Sequence, residues 1–180
     1  LQWDYSDGFY DDTSRSANYV AWMWKRAKGF MDVVAYTGST SNSTVVKHNL
    51  GVVPELVITK RRDGSRNWKV WSSYFSTGSG NTGAANLNSS TEWYIGDTSF
   101  YSSPTSTEIT QGIENTGNFI AYLFATLAGI SKVGSYTGTG SDINVDCGFS
   151  AGARFILIKR TDATGDWYLY DTLRGIVAGA

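Results

Sequence analysis

The sequence has one cysteine, one histidine and two prolines among 180 residues. A single cysteine, Cys147, excludes an internal disulfide framework and a cysteine-based zinc site, although it leaves the redox compartment open. With His48 alone, any triad, His-metal cluster or His general base has to use that residue. Charge is scarce as well: 17% of residues are charged, with 15 Lys and Arg against 16 Asp and Glu. A net charge of −1 and a pI near 5.8 provide no field to hold a polyanion, so nucleic acid is not an expected partner. Apolar runs such as Val33 to Tyr36 and Phe155 to Ile158 are strand-sized and fall short of the roughly 18 residues of a membrane helix, so no membrane insertion is expected. Leu1 brings no initiator Met, signal peptide or basic presequence, and both ends read as cut from a longer or processed product.

What the chain does have is aromatics, 14% of it, with 7 Trp, 11 Tyr and 20 Gly. Aromatic and β-branched runs separated by Gly, Ser, Thr and Asn are the pattern of short strands joined by tight turns. Strands are predicted at Tyr19 to Lys25, Phe30 to Tyr36, Thr44 to His48, Glu55 to Arg62 and Asn67 to Tyr74. Asp63-Gly64 is the expected hairpin turn between the last two, and Ser76 to Ser90 is expected to be a long loop or a weak edge strand. The predicted fold is all-β, an antiparallel β-sandwich of jelly-roll-like form.

The sequence also repeats itself. Asn18-Tyr19-Val20-Ala21-Trp22 returns as Asn118-Phe119-Ile120-Ala121-Tyr122, an offset of about 100 residues that continues to Tyr36-Thr37-Gly38 and Tyr136-Thr137-Gly138. After the loss of one residue, Leu56 to Arg61 corresponds to Phe155 to Arg160, Asp63 to Asp162, Trp68 to Trp167 and Trp71 to Tyr170. Fixed-period similarity reports repeated structural units. The expected organisation is an acidic segment over 1–16, a first β unit over 17–116 and an incomplete second unit over 117–180.

The strings NYVAWMWK, YTG and HNLGVVPELVITKRRDGSRNWKVW, echoed by NFIAYLFA, SYTGTGS and FILIKRTDATGDWYLYD, carry a resemblance. They resemble a repeated β domain of virion structural and tail-fibre-like proteins of marine tailed bacteriophages, over about Asn18 to Asp171. That family has no assigned molecular function, so the resemblance implies a virion setting and no catalytic residues.

Several short motifs invite chemistry and fail on context. Gly148-Phe149-Ser150-Ala151-Gly152 spells the nucleophile elbow of hydrolases, but Ser150 precedes a strand and no histidine follows it, so a turn is the better reading. Gly78-Ser79-Gly80-Asn81-Thr82-Gly83 spells a dinucleotide fingerprint, yet no amphipathic helix follows it. His48 reads as a strand-end residue, and nothing in the spacing argues for a dyad with its repeat partner Cys147. Asp4, Asp7, Asp11 and Asp12 lack EF-hand spacing and read as a solvated acidic loop. Glu55, Glu92, Glu108 and Glu114 supply carboxylates for a glycosidase, but sequence names no pair. No cofactor or metal is implied, and the chain reads as non-enzymatic.

Two groups remain as contact candidates. Lys60, Arg62 and Arg66 belong to a basic cluster suited to a subunit interface or an anion. Trp3, Trp93, Tyr94 and Tyr101 have no repeat partner and are the candidates for a glycan or partner contact, whereas the repeated aromatics are expected to pack in the core. The expected function is a structural protein of a phage particle, in a fibre, spike or surface decoration. Its expected partners are other virion proteins, further copies of itself, as a trimer by analogy with fibres, and a host-surface glycan. The alternative is a glycan-binding β-sandwich module of a secreted or cell-surface protein. A hydrolase on a β scaffold ranks last.

Overall fold

Alternating burial marks a strand with one face on a core, and it runs through the chain's longest strands. The computed structural model describes residues 20–39, 43–75, 83–92, 94–95, 104–112 and 116–175. Its strands are β1 (Met31–Gly38), β2 (Thr44–Lys47), β3 (Leu56–Arg61), β4 (Lys69–Ser72), β5 (Gly83–Asn86), β6 (Tyr94–Ile95), β7 (Glu108–Gln111), β8 (Gly117–Phe124), β9 (Phe155–Lys159) and β10 (Trp167–Asp171). The helical content described is a single 3₁₀ turn, Ser73–Phe75. Every strand pairing is antiparallel, as expected for an all-β sandwich.

Six strands form the main sheet in the order β1-β8-β3-β4-β5-β6, and β2 pairs with β7 in a second, two-stranded sheet. The core lies between them. Val57, Trp71, Ala84, Ala121 and Leu123 on the main sheet meet Val46, Ile109 and Leu50, all fully or nearly fully buried. Tyr36 of β1 ties the layers together by donating its hydroxyl to the buried Gln111 Oε1 of β7 at 2.5 Å. A smaller cluster of Val70, Phe75 and Ala85 covers the other face of the main sheet, and Trp167 packs against it.

The strand expectations hold from Phe30 to Tyr74, with ends moved by at most two residues, as hydrogen-bond criteria usually move them. Two expectations do not. Residues 83–86, expected as loop or weak edge, form the buried strand β5 inside the sheet; Ala84 stands opposite Trp71, and its small side chain leaves room for the indole. The part of that stretch over 76–82 lies outside the described residues. Tyr19 to Lys25, expected as a strand, has no strand ladder over its described residues 20–25, although its aromatic side chains there are engaged as described below.

β8, the leading strand of the second sequence unit, sits between β1 and β3 of the first, so the sequence boundary near 116/117 runs through one sheet. Beyond β8, the strands described in the second unit are the hairpin β9–β10. Phe155 pairs with Asp171 and Ile156 with Tyr170, which is the register of Leu56 with Ser72 and Val57 with Trp71 at an offset of 99. The repeated aromatics are not all core. Trp71 is 2% exposed while its counterpart Tyr170 is 48% exposed, and Tyr136 is as open as Tyr170. The reason is the facing layer: Ile143 and Val145, counterparts in the second unit of the β2 region, are exposed and form no strand there.

Candidate functional site

The basic hairpin is well defined. Lys60 ends on its own turn, donating its ammonium to the Arg66 carbonyl and lying 5.9 Å from the Trp68 ring centroid. Arg61 pairs with Asp63 at 2.7 Å, and this guanidinium is the main reason the Asp63 carboxyl lies below its ordinary pKa. Asp63 also accepts from the Asn118 backbone N–H at 2.8 Å, anchoring the start of β8. Arg62 and Arg66 are exposed and make no ion pair among the described residues. Of the three cations expected to meet an anion, Lys60 is therefore committed within the turn, and two guanidinium groups remain.

Of the four aromatics expected at a glycan surface, Trp3, Trp93 and Tyr101 lie outside the described residues. Tyr94 is in β6, with its backbone opposite Ala84. The Asp4, Asp7, Asp11 and Asp12 cluster and Glu114 also lie outside them. Among the described residues no group of three or more His, Cys, Asp or Glu side chains could hold a metal ion. No described helix is long and apolar enough to cross a membrane.

A cleft of about 390 Å³ opens beside β3 and β4, lined by Val52, Val53, Pro54, Glu55, Trp71 and Thr126 among others. Its rim is apolar, because Val52 and Val53 are exposed, and its floor is the buried Trp71. Glu55 brings a carboxylate, but Oε2 already accepts the Thr126 backbone N–H, and the Glu55 backbone bonds Phe124 O at 2.9 Å and Ser73 N at 3.0 Å. Glu92 and Glu108 do not line this cleft. Among the described residues, Glu55 supplies the one carboxylate that lines this cleft with Trp71, and a hydrogen-bonded carboxylate of this kind can orient a ligand; glycoside hydrolysis needs two carboxylates flanking one bond.

Asp32 and His48 are both buried, and the Asp32 charge acts on the imidazole. Asp32 accepts Arg26 Nε at 2.6 Å and the Asn49 backbone N–H at 2.7 Å. Burial works to raise the Asp32 pKa, but the Asn49 amide and the Arg26 guanidinium outweigh it and hold the carboxyl below its ordinary range. His48 is 4% exposed; Nδ1 accepts the Leu50 N–H at 3.3 Å, and the buried Nε2 makes no hydrogen bond among the described residues. Burial lowers the His48 pKa, against weaker opposing pulls from the Thr105 carbonyl and the Asp32 and Glu108 charges. Cys147 Sγ donates to Val145 O at 3.6 Å, and among the described residues no hydrogen bond joins it to His48.

Sequence reasoning missed Asp171. This carboxylate, 3% exposed, accepts the Trp22 indole N–H at 3.0 Å and Arg174 Nε at 2.8 Å, while the Arg174 guanidinium lies 5.1 Å from the Trp22 ring centroid. Burial pushes its pKa up, and the Trp22 indole together with the Arg174 guanidinium and backbone amide brings it below the ordinary value. The signal available was the repeat itself, which places Asp171 where the first unit has the buried Ser72. Lys159, counterpart of Lys60, likewise donates to the Gly165 carbonyl at 2.7 Å, and burial lowers its pKa against the pull of Asp166 and Glu92.

A family model described as Domain of unknown function (DUF7483) matches residues 5–178. No curated protein and no solved structure matches the chain.

Proposed function

We propose that this chain, which belongs to the DUF7483 family, is a non-enzymatic structural protein of a tailed-phage particle, placed in a fibre, spike or surface decoration and acting in assembly and host-surface attachment. The observation that carries this reading is the reuse of one hairpin, β3–β4 and β9–β10, in the same register with the same turn contacts. Repeated β units extend a rigid shape by pairing and stacking, and a structural role needs no catalytic cleft. The sequence motifs supply the phage setting, and symmetric assembly is the usual organisation of such parts, a homo-trimer by analogy with fibres. The reading predicts that the chain in its source preparation sediments with a megadalton particle or a regular fibre visible by electron microscopy. Recovery as a small free protein would overturn it.

One observation favours a second reading, a glycan-binding module. Tyr168 and Tyr170 of β10 stand two residues apart on one face, each about half exposed, and such a pair can stack on sugar rings. Saturable oligosaccharide binding lost in both Trp93→Ala and Tyr170→Ala would establish it. Silence across a broad glycan panel would eliminate it.

A further inference from the structure

The two halves share more than a hairpin. In the turn before β1, Ala27 N donates to Met31 O at 3.0 Å and Met31 N returns a bond to Ala27 O at 3.0 Å. About 100 residues on, Leu127 N donates to Ser131 O at 3.1 Å and Ser131 N to Leu127 O at 2.9 Å. Gly29 and Gly129 make the same left-handed bend, with φ of 76° and 73°. The turns also face each other, since a Cβ on Gly29 would lie 3.5 Å from the Leu127 side chain.

What precedes each turn differs. β8 precedes the second turn and is paired on both flanks. Val20 to Lys25 precedes the first turn and has no ladder, while β9 is paired only with β10 among the described residues. The segment nevertheless lies where its counterpart would. Phe124 of β8 pairs with Leu56 of β3; their equivalents, Trp24 and Phe155, meet edge-on at 5.3 Å. Trp22 reaches Phe155 at 6.0 Å and bonds Asp171 on the strand beyond. Trp24 and Phe124, equivalent residues of the two halves, are themselves 5.9 Å apart, as residues beside a local two-fold axis are.

We infer that the open edge of β9 is an acceptor site for an extended strand, and that its occupant is residues Val20 to Lys25 of the same chain, in the register that β8 takes against β3. Each half thereby lends its leading strand to the other. Trp24 stands opposite Phe155, Trp22 opposite Leu157 and Ala21 opposite Ile158. Val20, Trp22 and Trp24 share the face of Phe155 and Leu157, because side chains alternate along a strand. The drive is twofold: an unpaired strand edge presents a row of unsatisfied N–H and C=O groups, and the two indoles need cover.

The register is testable by cross-linking. In a Cys147→Ser background, Ala21→Cys with Ile158→Cys brings two thiols to directly opposed positions, within disulfide reach. Mild oxidation should give an intramolecular bond, read as a monomer lighter by two hydrogens. Its yield should exceed that of the slipped pair, Ala21→Cys with Leu157→Cys, by about tenfold or more, since a one-residue slip puts the thiols on opposite faces. Equal yields, or no bond in either pair, would overturn the register. A bond found only between chains would give the site to a second copy and overturn the same-chain occupant. In the unmodified chain, amides of Val20 to Lys25 should exchange with deuterium at least about tenfold slower than in a free peptide of that sequence. Exchange at the peptide rate would count against strand docking, and Trp24→Ala should restore that rate.

Discussion

Leu123 and Met23 occupy the same place in the repeated motif, and the fold treats them differently. Leu123 is on β8, with Asp32 of β1 on one side and Val57 of β3 on the other, and it is 0% exposed. Truncation to alanine removes three carbon atoms, worth about 2.4 kcal/mol at about 0.8 kcal/mol per methylene. A site held by strands on both flanks cannot collapse fully, so a cavity term adds to this, and the expected loss is about 3–4 kcal/mol. Met23 is 66% exposed, and its truncation should cost about 0.5 kcal/mol. For a domain of this size about 1 kcal/mol moves Tm by roughly 2–4 °C. Leu123→Ala should therefore melt about 6–16 °C below the parent, and Met23→Ala within about 2 °C of it. Urea unfolding followed by tryptophan fluorescence and circular dichroism would give both free energies. Equal losses at the two sites would refute the reasoning, as would a loss below about 1 kcal/mol at Leu123.

Further predictions concern strain, hydrogen bonding and pH. Gly117 has φ of 129°, and a Cβ there would lie 2.7 Å from Arg61 Nε and 2.8 Å from Asp63 Oδ1. Gly117→Ala should lose about 2 kcal/mol of stability, and a neutral outcome in denaturant titration would contradict the geometry. Tyr36→Phe strands the buried Gln111 Oε1 and should cost about 1–2 kcal/mol, part of which Gln111→Leu added to it should recover; no recovery would mean that this bond is not what matters. His48 is the sole histidine, and its pKa in the fold lies below the ordinary 6.5, so the unfolded chain takes up the proton first. Its contribution is intact above about pH 6.5 and is lost as pH falls from there through the folded value. Asp32, also lowered, adds a loss as pH falls from about 3.8 through its own folded value. The urea midpoint should drop between pH 7 and pH 5, and His48→Gln should flatten that drop; a flat parent profile would exclude the mechanism.

Much of the fold was legible because strands and turns are written locally. Runs such as Leu-Val-Ile-Thr-Lys-Arg at 56–61 are bounded by turn residues and became β3. β5 was illegible for the opposite reason: Gly83-Ala84-Ala85-Asn86 has almost no β propensity, and it is a strand because Trp71 opposite it needs small neighbours. The candidate sites were less legible. The Lys60 side chain was readable as one of a basic cluster, but its bond to the Arg66 carbonyl depends on how the turn closes. The Trp22–Asp171–Arg174 contact joins residues 149 positions apart, and no local pattern encodes such a pairing.

The sequence alone determined the all-β class, the strand positions around Asp63-Gly64 and the two-fold recurrence of the hairpin, because alternation, turn chemistry and repetition are properties of neighbouring residues. Tertiary structure alone decided which half has a core. Trp71 and Tyr170 hold the same position in the same hairpin register, yet the paired strands β2 and β7 bury the first, and no described strand pair covers the second. Burial depends on what stands across the sheet, and that partner comes from far along the chain. For the same reason β8 became an interior strand, flanked by β1 and β3, of a sheet that begins at Met31, while its near-copy at Val20 to Lys25 meets β9 through side chains.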